Sequence, residues 1–197
     1  MLTIHGDTRS GNCHKVAVTC RLLGREFDWV EVDIMAGATR TVDFLAMNPA
    51  GQVPTVVLED GRPLAQSNAI MLYLAKGSAL IPADAYARAR MLEWLFWEQY
   101  SHEPYVATPR FQRLYQQRDP DPWRMERGEQ ALDHLEALLT GRDWLVGDAL
   151  TLADIALSAY TCLAEDAGFS LAERPSIDGW LARLDAAGGL FHGQRRP

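Results

Sequence analysis

The sequence has few cysteines, no cluster of basic residues and no long uncharged apolar run. Three cysteines (Cys13, Cys20 and Cys162) are an odd number and too few for a disulfide framework, so a reduced protein is expected. Set against 26 Asp and Glu, the 19 Lys and Arg leave a net charge of −7, which argues against a nucleic-acid partner. The longest uncharged stretches contain Asn, Pro, Gly, Gln and Ser, which excludes a bilayer-spanning segment. Residues 1–7 lack the basic start and apolar core of a signal peptide, so we expect a cytoplasmic protein. We also expect that the protein binds no metal.

What is present is the composition of a folded globular protein, with 48% hydrophobic and 23% charged residues in 197. The two halves differ in their pattern. Up to about residue 76, short apolar strands alternate with helices in the order β-α-β-α-β-β-α, which is the thioredoxin-like arrangement. Residues 77–83 form a linker, and residues 84–197 show helical spacing without a convincing strand. The sequence therefore predicts an α/β thioredoxin-like domain followed by an all-α helical-bundle domain.

The element boundaries follow from periodicity and from Gly, Pro and N-cap signals. Pro104 and Pro109 are expected to kink or divide the first helix of the second domain. The predicted strands are Leu2–His5, Trp29–Val32, Thr55–Leu58 and Pro63–Ala65. The predicted helices are Asn12–Leu23, Thr41–Met47, Ser67–Lys76, Ala85–Tyr100, Trp123–Leu139, Thr151–Leu163 and Pro175–Leu184.

The first motif that could carry chemistry runs from Arg9 to Lys15, at the start of the first helix. A helix N-terminus favours an anion such as a thiolate, although Ser10 or Asn12 could equally be an ordinary N-cap. A dithiol oxidoreductase would have Cys-x-x-Cys here, whereas this chain has Ser10-x-x-Cys13. Cys20 lies seven residues further on and is no resolving partner in that motif, so dithiol redox chemistry is disfavoured.

A second motif runs from Asn48 to Thr55 and contains the Val53–Pro54 step directly before a strand. A cis peptide bond there would turn the backbone N–H and C=O of Val53 outward, as an edge for a peptide-like ligand. The alternative is an ordinary trans loop proline.

The third motif, Gln66-Ser67-Asn68, opens a helix after a short hairpin. With Ser67 as the N-cap, its hydroxyl and the first N–H groups could hold a carboxylate, or could simply cap the helix.

A fourth motif has a structural interpretation. Thr151 and Asp154 stand at N-cap and N3, the spacing of a capping box, and we assign them to folding.

Taken together, the order and spacing of these motifs resemble the glutathione S-transferase superfamily over nearly the whole chain. The resemblance implies a glutathione-binding first domain, a second-substrate pocket in the helical domain, and a homodimer. It also implies that glutathione is the co-substrate and that a small hydrophobic electrophile is the second substrate. The predicted function is conjugation of the two in detoxification.

Carried over to this sequence, the resemblance implies a role for each motif residue. Ser10 corresponds to the catalytic serine of theta-like members and would donate a hydrogen bond to the glutathione sulfur. Val53, followed by a cis Pro54, would pair its backbone with the cysteinyl unit. The remaining implied contacts are Gln66 and Ser67 with the γ-glutamyl end, and Arg40 and Gln52 with the glycyl end.

Departures from the theta-like pattern leave alternatives open. Cys13 sits where beta-like members have a cysteine that forms a mixed disulfide with glutathione. Asn12 falls near the asparagine that nu-like members use in disulfide-bond reduction. Gln66 stands where an acidic residue is often found. A glutathione-dependent disulfide reductase and a non-catalytic binding module therefore remain as alternatives.

The second-substrate pocket is expected near the Pro104 and Pro109 break, where a helix face could open. His102, Tyr105 and Phe111 are the candidate lining residues, with Tyr105 first.

Overall fold

A computed structural model describes residues 1–190, which form two compact units, residues 1–78 and 79–190. The predicted second domain extends to residue 197, and residues 191–197 lie outside the described part. The assignment of glutathione binding to one domain and of the second substrate to the other stays a prediction.

The first unit contains a mixed four-stranded sheet. Its strands are β1 (Leu2–Gly6), β2 (Phe27–Glu31), β3 (Thr55–Val57) and β4 (Pro63–Ala65), in the spatial order β2-β1-β3-β4. β1 runs parallel to β2 and antiparallel to β3, which is antiparallel to β4. This sheet, with its helices, confirms the predicted thioredoxin-like order β-α-β-α-β-β-α.

Three α-helices belong to this unit: α1 (Gly11–Leu22), α2 (Val42–Met47) and α3 (Ser67–Leu74). A short 3-10 turn at Ala38–Arg40, which the sequence pattern did not indicate, precedes α2. Apolar side chains of the sheet and of α1 and α3 form one core, because the strands alternate and the helices present a stripe at i, i+4 spacing. Its fully buried members are Leu2, Ile4, Val16, Cys20, Val56 and Ile70.

The second unit contains helices and loops, and no strand between residues 79 and 190. Its helices are α4 (Ala85–Trp97), α5 (Glu103–Leu114), α6 (Pro122–Leu139), α7 (Leu152–Thr161), α8 (Ala164–Ala167) and α9 (Pro175–Ala186). Large side chains from five of these helices are buried in the unit. They include Met91, Val106, Leu132, Leu135, Leu152, Ile155 and Trp180.

One predicted helix is divided. A π-helical turn at Glu98–His102 separates α4 from α5, and the N–H of Glu103 donates to the carbonyl of Glu98 five residues earlier. Pro104 lies in the first turn of α5, where its missing N–H is tolerated, whereas in a continuous α-helix that position would donate to residue 100. The break thus comes from Pro104, while Pro109 lies within α5.

Candidate active site

Ser10 lies at the N-cap of α1, in extended backbone conformation with φ −91° and ψ 118°. Its side chain accepts no hydrogen bond from the backbone of α1, all of whose residues the structure describes. The Ser10 side chain instead lies near the thiol of Cys13, one turn further along the helix, and acts to lower the pKa of that thiol. A partly buried hydroxyl therefore stands at the positive end of a 12-residue helix without serving as its cap.

The turn before Ser10 is held by an ion pair. Asp7 is fully buried, and its carboxylate accepts hydrogen bonds from the backbone N–H of Arg9 at 2.9 Å and from the Arg9 guanidinium at 2.8 and 2.6 Å. The N–H of Ile34 donates to the same carboxylate at 3.1 Å. Burial alone would raise the pKa of Asp7, but these hydrogen bonds outweigh it and the pKa is lowered. The Asp7 carboxylate thus fixes the conformation of the turn that presents Ser10.

Cys13 is buried beneath this turn. It has no exposed surface, and the N–H of Asp7 approaches its sulfur at 3.4 Å. Gly6 makes room for it, since a Cβ there would lie 3.2 Å from the Cys13 sulfur and 2.6 Å from the ring of Trp29. Burial raises the pKa of the Cys13 thiol to about 12, although the nearby Ser10 side chain opposes the change. At neutral pH Cys13 is therefore a protonated, inaccessible thiol, which is unsuited to forming a mixed disulfide.

The peptide bond between Val53 and Pro54 is cis. Among residues 1–190, no partner hydrogen-bonds to the backbone N–H or C=O of Val53, which lies partly buried just before β3. The loop is held by buried Asn48, whose side-chain amide donates to the carbonyl of Gln52 at 2.9 Å and to the hydroxyl of Thr55 at 3.0 Å. Asn48 is the first residue of the second sequence motif, but its structural role could not be predicted from the sequence, because that role depends on its contacts within the folded loop.

Two candidate residues beside this loop are solvent-exposed. The Arg40 guanidinium reaches the carbonyl of Ala50 at 3.4 Å and lies against Gly51. A side chain at Gly51 would collide with Arg40, and its φ of +61° favours glycine as well. Gln52 is also exposed. Both side chains are accessible to a ligand at the surface of the loop.

The helix α3 begins differently from the prediction. Its N-cap is Gln66, with φ 70° and ψ 109°, and Ser67 is the first helical residue rather than the cap. Because a non-glycine residue rarely adopts positive φ, the chain is strained at Gln66. Ser67 is buried, and its hydroxyl donates to the side-chain oxygen of Asn12 at 3.0 Å. The N-terminal turns of α1 and α3 are thereby joined side chain to side chain.

The second unit contains a cavity of about 220 Å³. Tyr105 lines it, and the Arg127 guanidinium lies over the Tyr105 ring at 5.5 Å. The other two candidates lie elsewhere. His102 is fully buried and bonded to the hydroxyl of Thr161 at 3.0 Å, while Phe111 packs against Tyr115 with ring centroids 5.5 Å apart. The remaining lining residues are Trp97, Tyr100, Ser101, Gln130, Ala131 and His134.

Thr151 and Asp154 form a capping box at the start of α7. The buried Asp154 carboxylate accepts hydrogen bonds from the N–H of Thr151 at 2.9 Å and from the N–H of Leu145 and the indole of Trp180, both at 3.0 Å. This carboxylate ties α7 to α9 and to the loop before α7, within the core of the helical unit.

Neither a membrane-spanning helix nor a metal-binding cluster is found in the described part of the chain. In residues 1–190, no helix combines the length and apolar character needed to cross a membrane. The same residues contain no group of three or more His, Cys, Asp or Glu arranged to hold a metal ion.

A thioredoxin-like unit followed by an all-α unit defines the fold class of this chain. Residues 9–76 match the family profile "Glutathione S-transferase, N-terminal domain", and residues 96–186 match "Glutathione S-transferase, C-terminal domain". Glutathione S-transferase 3 of Zea mays is 35% identical over 200 aligned positions, which cover 94% of this chain and 89% of that protein. The chain therefore belongs to the glutathione S-transferase family.

Solved structures agree with this assignment. A glutathione S-transferase from Pseudomonas fluorescens Pf-5 superimposes with a TM-score of 0.90 at 42% identity, covering 100% of this chain and 98% of that one. Another, from Xanthobacter autotrophicus Py2, gives 0.89 at 45% identity over 97% and 96% of the two chains.

Proposed function

We propose that this protein conjugates the thiolate of glutathione to a small hydrophobic electrophile, with the Ser10 hydroxyl stabilising the thiolate. The observation that carries the proposal is the pairing of a Ser10 hydroxyl that does not cap its helix with a Cys13 that is buried and protonated. The reactive thiol would then be brought by glutathione. The family relatives, which are named glutathione S-transferases, support the same activity.

In this mechanism Ser10 acts electrostatically and forms no covalent bond to the substrate. A hydrogen bond from its hydroxyl to sulfur, together with the positive end of α1, favours the thiolate over the thiol. Free thiols titrate near pH ~8.5, and each unit of lowering corresponds to about 1.4 kcal/mol. The two effects together would lower the thiol pKa of bound glutathione by roughly one to two units. The sulfur then attacks the electrophile, the new carbon–sulfur bond forms, and the leaving group departs with its electron pair.

The rest of glutathione would be held by the Val53–Pro54 loop, by the start of α3 and by Arg40 and Gln52. The backbone N–H and C=O of Val53 would pair with the cysteinyl unit in the manner of an added strand. The γ-glutamyl end would lie against Gln66 and Ser67, at the N-terminus of α3. Arg40 and Gln52, both exposed, would contact the glycyl end, where a guanidinium suits a carboxylate.

For the electrophile we propose the aromatic surface around Tyr105, which lines a cavity with Trp97. His102 and Phe111 do not line this cavity, and the burial of His102 keeps it from contacting a substrate.

We further propose that the protein is a cytoplasmic homodimer that serves in detoxification. Two features support this: none of the three cysteines forms a disulfide bond, and the aromatic residues Tyr86 and Phe96 of α4 are 75% and 74% exposed.

The decisive experiment is the pH dependence of conjugation to an aryl halide in Ser10→Ala, with Thr8→Ala and Cys13→Ala alongside. Ser10→Ala is expected to raise the apparent thiol pKa by one to two units and to lower the rate at slightly acid pH about tenfold or more. Thr8→Ala removes a neighbouring hydroxyl that bonds Glu31, and it should leave the thiol pKa unchanged. An unshifted pKa in Ser10→Ala, with activity lost in Cys13→Ala, would contradict the Ser10 role.

The two alternative functions have their own readouts. A disulfide reductase would turn over a small glutathione disulfide faster than it conjugates an aryl halide. A non-catalytic module would show neither activity, and failure of glutathione to raise the melting temperature would contradict glutathione binding itself.

A further inference from the structure

The bond between Ser67 and Asn12 conflicts with the role that Ser67 has in the proposed function. A serine hydroxyl has one proton to donate and two lone pairs to accept with. In the structure, Ser67 donates that proton to the side-chain oxygen of Asn12 at 3.0 Å. The same proton cannot also be donated to the carboxylate of a γ-glutamyl group. Binding of that carboxylate through Ser67 therefore requires a change at Asn12.

The side-chain amide of Asn12 can accommodate this change and still form a hydrogen bond with Ser67. Asn12 carries an acceptor oxygen and two N–H donors on one planar group, so a half-turn about its last side-chain bond exchanges them. After the half-turn, an N–H of Asn12 donates to the Ser67 oxygen, which leaves the Ser67 proton directed at the ligand. The resulting chain of donors runs from Asn12 through Ser67 to the carboxylate, and each bond polarises the next.

We propose that Asn12 is a positioning residue that sets the direction of the Ser67 proton by turning its amide when the γ-glutamyl carboxylate binds. The inference rests on the proposed function, because it takes glutathione as the ligand. It adds a residue of α1 to the recognition of a group held at α3. Asn12 stands two positions after Ser10 in the first turn of α1, so one short segment serves both the sulfur and the γ-glutamyl end.

The burial of Ser67 makes the direction of its proton matter. Its residue surface is only 6% exposed, so water cannot readily take over the role of either partner. A buried hydroxyl held by Asn12 and aimed at the ligand binds it without the cost of ordering a mobile side chain.

The test is a double-mutant cycle on Asn12→Ala and Ser67→Ala, with the dissociation constant of S-methylglutathione measured by calorimetry. This probe has no ionisable thiol, so effects on sulfur activation do not enter. Each single variant is expected to weaken binding, Ser67→Ala by roughly tenfold and Asn12→Ala by about fivefold. The double variant should bind no worse than Ser67→Ala, because Asn12 acts only through Ser67.

Two further measurements separate positioning from general support of the loop. An S-methylglutathione analogue with its γ-glutamyl α-carboxylate converted to an amide should bind wild type and Asn12→Ala with the same affinity within about twofold. Asn12→Asp keeps the shape and the acceptor but has no N–H to donate, and its charge opposes the ligand. It is expected to bind S-methylglutathione more weakly than Asn12→Ala does, by tenfold or more relative to wild type.

The outcomes distinguish failure of this inference from failure of the proposed function. If wild type does not bind S-methylglutathione, both are wrong. If wild type binds but the losses in the cycle are additive, the positioning role is wrong and the proposed function stands. Equal weakening of both probes by Asn12→Ala would likewise assign Asn12 to loop structure and overturn the inference.

Discussion

Three α-helices in residues 1–190 have a hydroxyl N-cap in extended conformation, namely Ser10 of α1, Thr41 of α2 and Thr151 of α7. The hydroxyls of α1 and α7 do different things. At the start of α7, the side chain of Thr151 accepts a hydrogen bond from the N–H of Ala153 at 3.3 Å. It also donates to the carboxylate of Asp154 at 3.0 Å. At the start of α1, the Ser10 side chain accepts no hydrogen bond from its helix and lies near the thiol of Cys13. Residue type at the N-cap therefore does not decide between a structural and a functional role.

The residue three positions after the N-cap also differs between α1 and α7. In α7 the N3 residue is Asp154, which completes the capping box, whereas in α1 it is Cys13 and the first turn has no acidic residue. A carboxylate at N3 would take up the helix N–H groups and would repel an approaching thiolate. A buried neutral thiol does neither. The positive N-terminal end of α1 is thus available to an external anion, whereas the N-terminal end of α7 is neutralised by the carboxylate of Asp154.

The largest effect expected from this comparison is at Asp154. Asp154→Asn keeps the size of the side chain but replaces one carboxylate oxygen with an NH₂ group, which cannot accept a hydrogen bond. The carboxylate accepts hydrogen bonds from Leu145, Thr151 and Trp180. We expect the free energy of unfolding to fall by about 3 kcal/mol. Urea unfolding at neutral pH measures it, with the exposed Asp148→Asn as control, which should change stability by less than about 0.5 kcal/mol. If the two variants were equally stable, the Asp154 carboxylate would not be what stabilises the start of α7.

The next effect concerns Asp7, which supports the start of α1 from outside the helix. Asp7→Asn breaks the contacts with Arg9 and Ile34, and we expect a loss of about 2 kcal/mol at neutral pH. The pKa of Asp7 is lowered by folding, so its carboxylate stabilises the fold above the unfolded pKa near ~3.9 and loses that effect as pH falls through the folded value. The stability difference between wild type and variant should therefore shrink below about pH 4.

The matched control for this prediction is Asp33→Asn. Asp33 bonds the same guanidinium at 2.5 Å but is about half exposed, so solvent screening should make the loss in Asp33→Asn clearly smaller than the loss in Asp7→Asn. If the two variants were equally destabilised, the burial of Asp7 would not be what fixes the turn before Ser10.

Sequence reasoning could predict the parts of this molecule that depend on short segments of the chain. The capping spacing of Thr151 and Asp154, the strand after Pro54 and the order of elements in the first unit all depend on neighbouring residues. For the same reason the break near Pro104 was predictable, although its form as a π-helical turn was not, because that depends on how the freed carbonyls find new donors.

The parts that could not be predicted join residues far apart in the chain or depend on burial. Ser67 and Asn12 are 55 positions apart, and nothing in either local pattern indicates that they bond. The placement of Gln66 as the N-cap also escaped prediction, since Ser67 has the stronger local preference and the tertiary bond to Asn12 outweighs it. Burial decides the role of Cys13, because the same residue at an exposed helix N-terminus would be a reactive thiolate.

The smallest effect is the most direct test of the comparison, because it sets the two N-cap hydroxyls side by side. Thr151→Ala removes a hydroxyl that caps its helix, and we expect the free energy of unfolding to fall by about 1 kcal/mol. Ser10→Ala removes one that does not, so its loss should stay within about 0.5 kcal/mol while the thiol pKa of bound glutathione rises. Urea unfolding of both variants, measured with and without S-methylglutathione, separates stability from binding. If Ser10→Ala were as destabilised as Thr151→Ala, the Ser10 hydroxyl would stabilise the fold as much as a helix cap does, through its proximity to Cys13.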